Sequence, residues 1–298
     1  MIFGPEILKF IFHRLKFLQM KPNNLCSTIA VLSVFLMYGV LSGCSIDDNQ
    51  NLSERNWQLT WSDDFEGPAG QSPNLNNWTF DIGTGDNGWG NEELQYYTNR
   101  SENVSLNGNG QLAITALRES FGGMPFTSAR IKTEGLFEQA YGRFEASIKN
   151  PYGPGIWPAF WMFGADFSTV GWPQSGEIDI MEMRGQQPHI AIGSLHGPGF
   201  SAGNALSSNY SLPNNRFDDD FYLYAIEWFP DRIDFFVDDF LYNRIKRSDV
   251  PGEWVFDKPF FMILNVAVGG TFVGFPTDET PFPQQMLVDY VRVYELAD

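Results

Sequence analysis

Basic residues are scarce in this chain: 19 lysines and arginines stand against 36 aspartates and glutamates in 298 residues, a net charge of −17. With no basic stripe to displace counterions from phosphates, nucleic acid is excluded as a partner, while neutral polymers stay open. Cysteine is nearly absent, with only Cys26 and Cys44, so no disulfide framework holds the fold and stability must come from a core. No apolar run is long enough to span a bilayer; the stretch 29–40 is about a dozen residues against the ~20 a helical span needs. Runs of Ala, Leu, Glu and Lys at helical period are also scarce, whereas aromatics make up 16% and there are 29 glycines and 18 prolines. That balance favours β-structure. A hydrophobic content of 43% suffices for one sizeable core and does not require a second domain.

The N-terminal region reads as a targeting segment. His13, Arg14, Lys16 and Lys21 precede the short apolar stretch, the arrangement of a signal peptide, and Met20-Lys21 offers a second start site. Leu41-Ser42-Gly43-Cys44 resembles the bacterial lipobox, in which the cysteine is lipidated and becomes the mature N-terminus. The competing reading is an ordinary signal peptide with a chance cysteine. Residues 45–51 are polar and patternless, as a tether would be. The expected organisation is therefore a signal peptide at 1–43, a lipid-anchored linker at 44–55 and one domain at 56–298. The expected protein is an exported bacterial lipoprotein at the outer membrane or cell surface, monomeric, touching the membrane only through its anchor.

From residue 57 onward, short alternating segments are broken by turn residues, without internal repeat. Strands are expected at 58–65, 104–106, 111–117, 129–132, 141–148, 155–162, 177–183, 191–195, 222–228, 232–237, 260–268 and 285–294, with turns at 107–110 and 238–239. The stretches 67–70 and 119–126 read as groove walls or turns. About a dozen strands in roughly 240 residues fit an all-β jelly-roll sandwich of two curved antiparallel sheets, one face of which can form a concave groove.

One strand carries three acids. Glu177 and Asp179 project to one side while Ile178 and Ile180 project to the other. Strict alternation would send Glu182 into the core, where an unpaired carboxylate costs several kcal/mol. A β-bulge near residue 181 resolves the conflict by turning Glu182 back to the acid face. Glu177 and Glu182 then lie about four strand steps apart, roughly 13 Å between α-carbons. Glutamates leaning together leave about 5 Å between carboxyls, the separation of a retaining glycosidase. Asp179 between them is placed to hold their proton affinities apart, so that one stays ionised as nucleophile and the other protonated as acid. A solvent-facing acidic strand is the bland alternative, disfavoured by the flanking isoleucines and methionines. A calcium site is another, although such sites usually recruit loop ligands.

Glu177-Ile178-Asp179-Ile180-Met181-Glu182 resembles the signature of glycoside hydrolase family 16 in its longer, bulged form. Residues 88–97, 128–133, 155–162, 193–199 and 287–294 are similar to the endo-β-1,3-glucanase (laminarinase) branch, and the likeness runs from 57 to 294. The resemblance implies Glu177 as nucleophile, Asp179 as assisting carboxylate and Glu182 as general acid/base, with hydrolysis at retained anomeric configuration and no catalytic cofactor. It also implies a structural calcium on the convex side, with Glu66, the backbone at Gly110 and Asp289 in matching positions; both acids read equally well as surface carboxylates.

Trp157 and Trp161 are four apart on the strand before the acids and share a face, where indoles suit the CH face of a sugar; either could instead be a core residue. Trp172 sits in the connection before the acid strand, in a rim position. His196 reads as reaching a sugar hydroxyl or the acid cluster, or as a plain loop histidine. Asn91 and Arg130 match polar positions of the family's groove, although Arg130 could equally satisfy a carbonyl or an acid. The expected function is retaining endo-hydrolysis of β-1,3-glucan, with mixed-linkage β-1,3-1,4-glucan as an extension. The rivals are a same-fold hydrolase of agarose, porphyran or carrageenan, whose sulfates would want Arg130, Arg143 and Arg184, and a glucan-binding surface protein without turnover. Transglycosylation through the same covalent intermediate is a third.

Overall fold

The computed structural model describes residues 55–297; the expected signal peptide, Cys44 and all of the linker but Arg55 lie outside the described residues. Among the described residues, no helix is long and apolar enough to cross a membrane. Two sheets pack face to face. The larger has ten strands: β1 (Trp57–Asp63), β3 (Gln95–Tyr97), β4 (Val104–Leu106), β5 (Leu112–Phe121), β6 (Met124–Ser128), β8 (Gly142–Lys149), β13 (Tyr222–Phe229), β14 (Arg232–Val237), β15 (Phe240–Lys246) and β17 (Gln284–Leu296). The smaller runs β12-β11-β10-β9-β16-β7-β2, with β2 at Thr79–Asp81, β7 at Arg130–Lys132, β9 at Ile156–Gly164, β10 at Glu177–Glu182, β11 at Ile190–His196, β12 at Leu206–Ser211 and β16 at Phe260–Val268.

Alternation fills the space between them. Phe144, Ala146 and Ile148 of β8 and Tyr224, Ile226 and Trp228 of β13 share one core with Phe160 and Met162 of β9, Ile178 of β10 and Met262 and Leu264 of β16, all at 0% exposure. That leaves Trp157, Ala159 and Trp161 of β9 on the opposite face of the seven-stranded sheet, the groove face. β16 is buried along its whole length, because Phe261 and Ile263 on its groove side pack with Phe163, Trp161 and Phe167 in a second apolar cluster. Leu264→Ala in such a core would cost ~2–5 kcal/mol.

The sandwich agrees with expectation, and the differences have local causes. The pairing is antiparallel except for β3 with β6, which is parallel. The stretch 119–126 is a hairpin rather than a wall: β5 continues to Phe121 and β6 starts at Met124 across Gly122 and Gly123, whose φ values of 58° and 85° suit a two-residue turn that twists with its strands. β2, β12 and β15 are further strands that the alternation of apolar residues did not reveal.

Candidate active site

The register of β10 shows how three acids share a face. Asp179 pairs with Trp161 on β9 and Ser194 on β11, but Met181 pairs with Phe160, so Ile180 is an extra residue without a β9 partner. From Glu177 to Glu182, β9 advances four residues, Phe163 to Ala159, and β11 four, His196 to Ile192. β10 advances five. Ile180 and Met181 both bury into the core, at 1% and 0% exposure, and Glu182 returns to the groove face, half-buried like Glu177. The bulge thus lets both apolar residues bury without burying the carboxylate.

Each acid has its own partner. The Trp172 indole Nε1–H donates to Glu177 Oε2 at 2.6 Å, and the Trp157 Nε1–H donates to Glu182 Oε1 at 3.0 Å. Asp179, 2% exposed, has His196 Nε2 at 3.1 Å from Oδ2, but the contact is not aligned as a hydrogen bond and Oδ2 is otherwise unpartnered. His196 Nδ1 accepts the Ala202 backbone N–H at 3.2 Å, so the proton of neutral His196 sits on Nε2, facing Asp179. Ala202 holds φ at +49°, a conformation costly for a residue with a side chain.

Burial dominates the electrostatics. It pushes Glu177 up to about 8, with further contributions from the charge of Asp179 and a hydrogen bond shared with it. Burial, then the charge of Glu177, pushes Glu182 up to about 7. Asp179 is held well above the usual carboxylate range by burial and by Glu182. Three carboxyls so close titrate as a unit and retain protons at neutral pH. Ligand atoms of Glu177, Asp179 and His196 lie within 4.8 Å of one another, close enough for a cation. Metal binding at Nε2 would, however, move the His196 proton to Nδ1, against the Ala202 N–H. The trio is better suited to handling protons.

The floor is aromatic. Trp157 lies against Phe272, ring centroids 5.0 Å apart, and Trp161 donates its Nε1–H to Asn265 Oδ1 at 2.7 Å. Arg130 is only 9% exposed. Its guanidinium lies 4.6 Å from the Trp161 ring and 4.9 Å from Trp89, with Nε 3.0 Å from Asp81 Oδ2. It therefore orders the aromatics and satisfies an acid. Asn91 sits at the edge, its side-chain amide donating to Glu93 Oε1 at 3.4 Å and its backbone carbonyl accepting the Thr271 N–H at 2.8 Å. By sequence, Trp172 has a rim position and Trp89 falls in the family-like stretch 88–97 without a role of its own, while Asp81, Asn265 and Phe272 sit in loops or on strands with no motif to single them out. Glu66 and Gly110 are neighbours, a Cβ on Gly110 falling 3.4 Å from Glu66 Oε1, and Asp289 occupies a register shift of β17 against β8.

The profile of glycosyl hydrolases family 16 matches residues 90–292. A beta-glucanase of Rhodothermus marinus is 41% identical over 280 residues, covering 89% of this chain and 95% of its own length. A glucan endo-1,3-beta-glucosidase of Cryptopygus antarcticus is 40% identical over 237 residues, covering 73% and 83%. The laminarinase catalytic domain of Thermotoga maritima MSB8 superposes with a TM-score of 0.77 at 45% identity, covering 82% of this chain and 100% of that one. With its fold, its bulged acid strand and a matched span of more than 200 residues, the chain belongs to glycosyl hydrolases family 16.

Proposed function

We propose that the protein is an endo-hydrolase of β-1,3-glucan that retains anomeric configuration, with Glu177 as nucleophile, Glu182 as general acid and base, and Asp179 as the assisting carboxylate. The observation that carries this is the bulge at Ile180, which sets the two glutamates four rungs apart on one face with an indole N–H on each. The names of the relatives supply the substrate class. Glu177 and Asp179 share a proton that burial holds in the free enzyme; in the reactive form it rests on Asp179, leaving Glu177 ionised and accepting from the Asp179 O–H and the Trp172 N–H. Glu182 gives its proton to the glycosidic oxygen as a Glu177 oxygen bonds to the anomeric carbon and the leaving chain departs. Glu182, now a carboxylate, takes a proton from water; the water oxygen attacks the same carbon and releases Glu177 with net retention. His196 acts through Asp179 as a positioning residue. Trp157 and Trp161 offer rings to the sugar's CH face, and Asn91 and Arg130 hold the edge and underside of that platform.

A sulfated galactan is a poorer fit. Arg130 is engaged by Asp81 and two rings, Arg184 by the Phe272 carbonyl at 3.0 Å, and Arg143 by Glu145 and Glu227 on the other sheet. The structural calcium belongs to the same proposal: the Glu66 carboxylate lies beside Gly110, and Asp289 is the third position that the family resemblance supplies. Export and lipidation at Cys44 complete it, and label from palmitate lost in Cys44→Ala would support them. The hydrolytic reading is tested by product analysis on a panel of laminarin, mixed-linkage glucan, agarose and carrageenan, with the first-formed anomer read by NMR. The expected result is β-anomer from laminarin; an α-anomer, or turnover of agarose alone, refutes it.

A further inference from the structure

The pairing of the acid strand with β9 does not stop at Glu182. The Met183 N–H donates to the Pro158 carbonyl at 3.2 Å and the Gly185 N–H to the Ile156 carbonyl at 2.8 Å. These bonds continue the register that sets Glu182 against Ala159 and place Arg184 directly across from Trp157. Met183 is 0% exposed in the core, so alternation returns Arg184 to the groove face beside Glu182. Opposed residues on one face hold their Cβ atoms about 4.5–5.5 Å apart, which makes Arg184 a neighbour of the Trp157 ring. The ladder is tight here: a Cβ on Gly185 would fall 2.3 Å from the Gly153 oxygen.

The guanidinium is fixed but not used up. Its Nε–H donates to the Phe272 carbonyl at 3.0 Å, and its Cζ lies 4.0 Å from the centroid of the Phe272 ring, the same ring that lies against Trp157. The loop carrying Phe272 is tied down independently, by Gln186 Nε2 to the Val273 carbonyl at 2.8 Å and by the Thr271 N–H to the Asn91 carbonyl. Neither Nη group of Arg184 has a protein acceptor among the described residues, and neither is sealed from solvent. Burial raises the Glu182 carboxyl, and the positive charge of Arg184 is among the causes that draw it partly back, as expected of a cation on the same stretch of groove.

A pyranose offers a CH face to an indole and a rim of hydroxyls to its surroundings. A planar fork standing at the edge of the indole carries N–H donors for that rim. The Glu182 carboxyl on the same face makes this a poor place for a second anion, so the fork suits neutral hydroxyl oxygens. We infer that Arg184 is a substrate-contacting residue whose Nη groups donate to hydroxyls of the glucosyl unit lying against Trp157. The inference rests on the glucanase reading of this groove and names a donor for it.

The test is binding of laminarihexaose by titration calorimetry to the full chain carrying Glu177→Gln, which does not turn the sugar over. Arg184→Ala and Gln186→Ala are each added to that background. Gln186→Ala loosens the Phe272 loop without removing a groove donor. Arg184→Ala is expected to weaken Kd about tenfold or more, the size of one hydrogen bond from a charged donor, while Gln186→Ala leaves it unchanged. A variant that is partly unfolded shows this in the stoichiometry, not in Kd. An unchanged Kd in Arg184→Ala, or an equal loss in Gln186→Ala, overturns the assignment of Arg184 alone. A Glu177→Gln parent that does not bind laminarihexaose overturns the glucanase reading and this inference with it.

Discussion

Glu177→Gln should abolish turnover and yet make the free enzyme more stable at alkaline pH. In the folded protein the Glu177 carboxyl is raised from its ordinary 4.5 to about 8, so the folded state holds this proton more tightly than the unfolded chain. Its contribution is fully present below pH ~4.5 and is lost as pH rises toward 8, because stability falls with pH wherever the folded state binds more protons. At 1.36 kcal/mol per pH unit, the rise from 4.5 to about 8 sets a ceiling of about 5 kcal/mol. Glu177 is half-buried and shares its proton with Asp179, so about 2 kcal/mol is the expected penalty at pH 8.5. Glutamine carries no charge, still accepts the Trp172 N–H and donates to Asp179 as protonated Glu177 would. For a domain of this size, about 2 kcal/mol corresponds to roughly 4–8 °C in melting temperature. Thermal unfolding of wild type and Glu177→Gln from pH 4.5 to 9 should show the variant melting higher at pH 8.5 and the curves converging by pH 4.5. A variant no more stable than wild type at pH 8.5, or a gap that widens toward acid, would refute the reasoning.

Trp172→Phe removes the 2.6 Å donor on Glu177. A hydrogen bond to a charged group is worth ~1.5 kcal/mol, so the acidic limb of the kcat/KM profile should move up by about one pH unit. The melting temperature should barely move, since Trp172 is 42% exposed; an unmoved limb would show that the indole does not tune Glu177. Deleting Ile180 takes out the extra residue and leaves Glu177, Ile178, Asp179, Met181 and Glu182 in strict alternation, with Glu182 still on the groove face, so turnover should survive in part while stability falls by the ~2–5 kcal/mol of a lost buried aliphatic side chain in chemical denaturation. A folded deletion variant without turnover would contradict the register that makes Ile180 the extra residue. Saturating calcium should raise the melting temperature by the equivalent of about 2–3 kcal/mol at a hundredfold excess over Kd, an effect expected to disappear in Glu66→Ala; a flat response in wild type removes the calcium.

Long strands with one buried face were legible in the sequence because their alternation is local, whereas β16, buried on both faces, was legible as a near-continuous apolar run and was found to the residue. The acid strand was legible for a sharper reason: an acid at 182 in strict alternation is physically intolerable, so the spacing itself required an irregularity. Strands lacking such a signature were not. Leu206–Ser211 is an edge strand with four polar residues, and Gln95–Tyr97 pairs in parallel with β6, a non-local pairing that no turn announces. Gly122-Gly123 was a readable hairpin signal that was passed over. In the site, Trp89 reaches Arg130 from a loop whose φ is +55° at Trp89 itself, and Trp172 reaches Glu177 across an irregular connection. Side chains delivered by loops depend on tertiary contacts that hydrophobic period does not encode.

The most direct measurement is the identity of the residue that becomes bonded to sugar. Incubation with a β-1,3-linked 2-deoxy-2-fluoro glucobioside bearing a good leaving group should trap the glycosyl-enzyme, and peptide mapping by mass spectrometry should place the added mass on Glu177. Label on Glu182 or Asp179, or steady turnover to an inverted product with no trapped species, would contradict the assignment of Glu177 as nucleophile on a bulged strand.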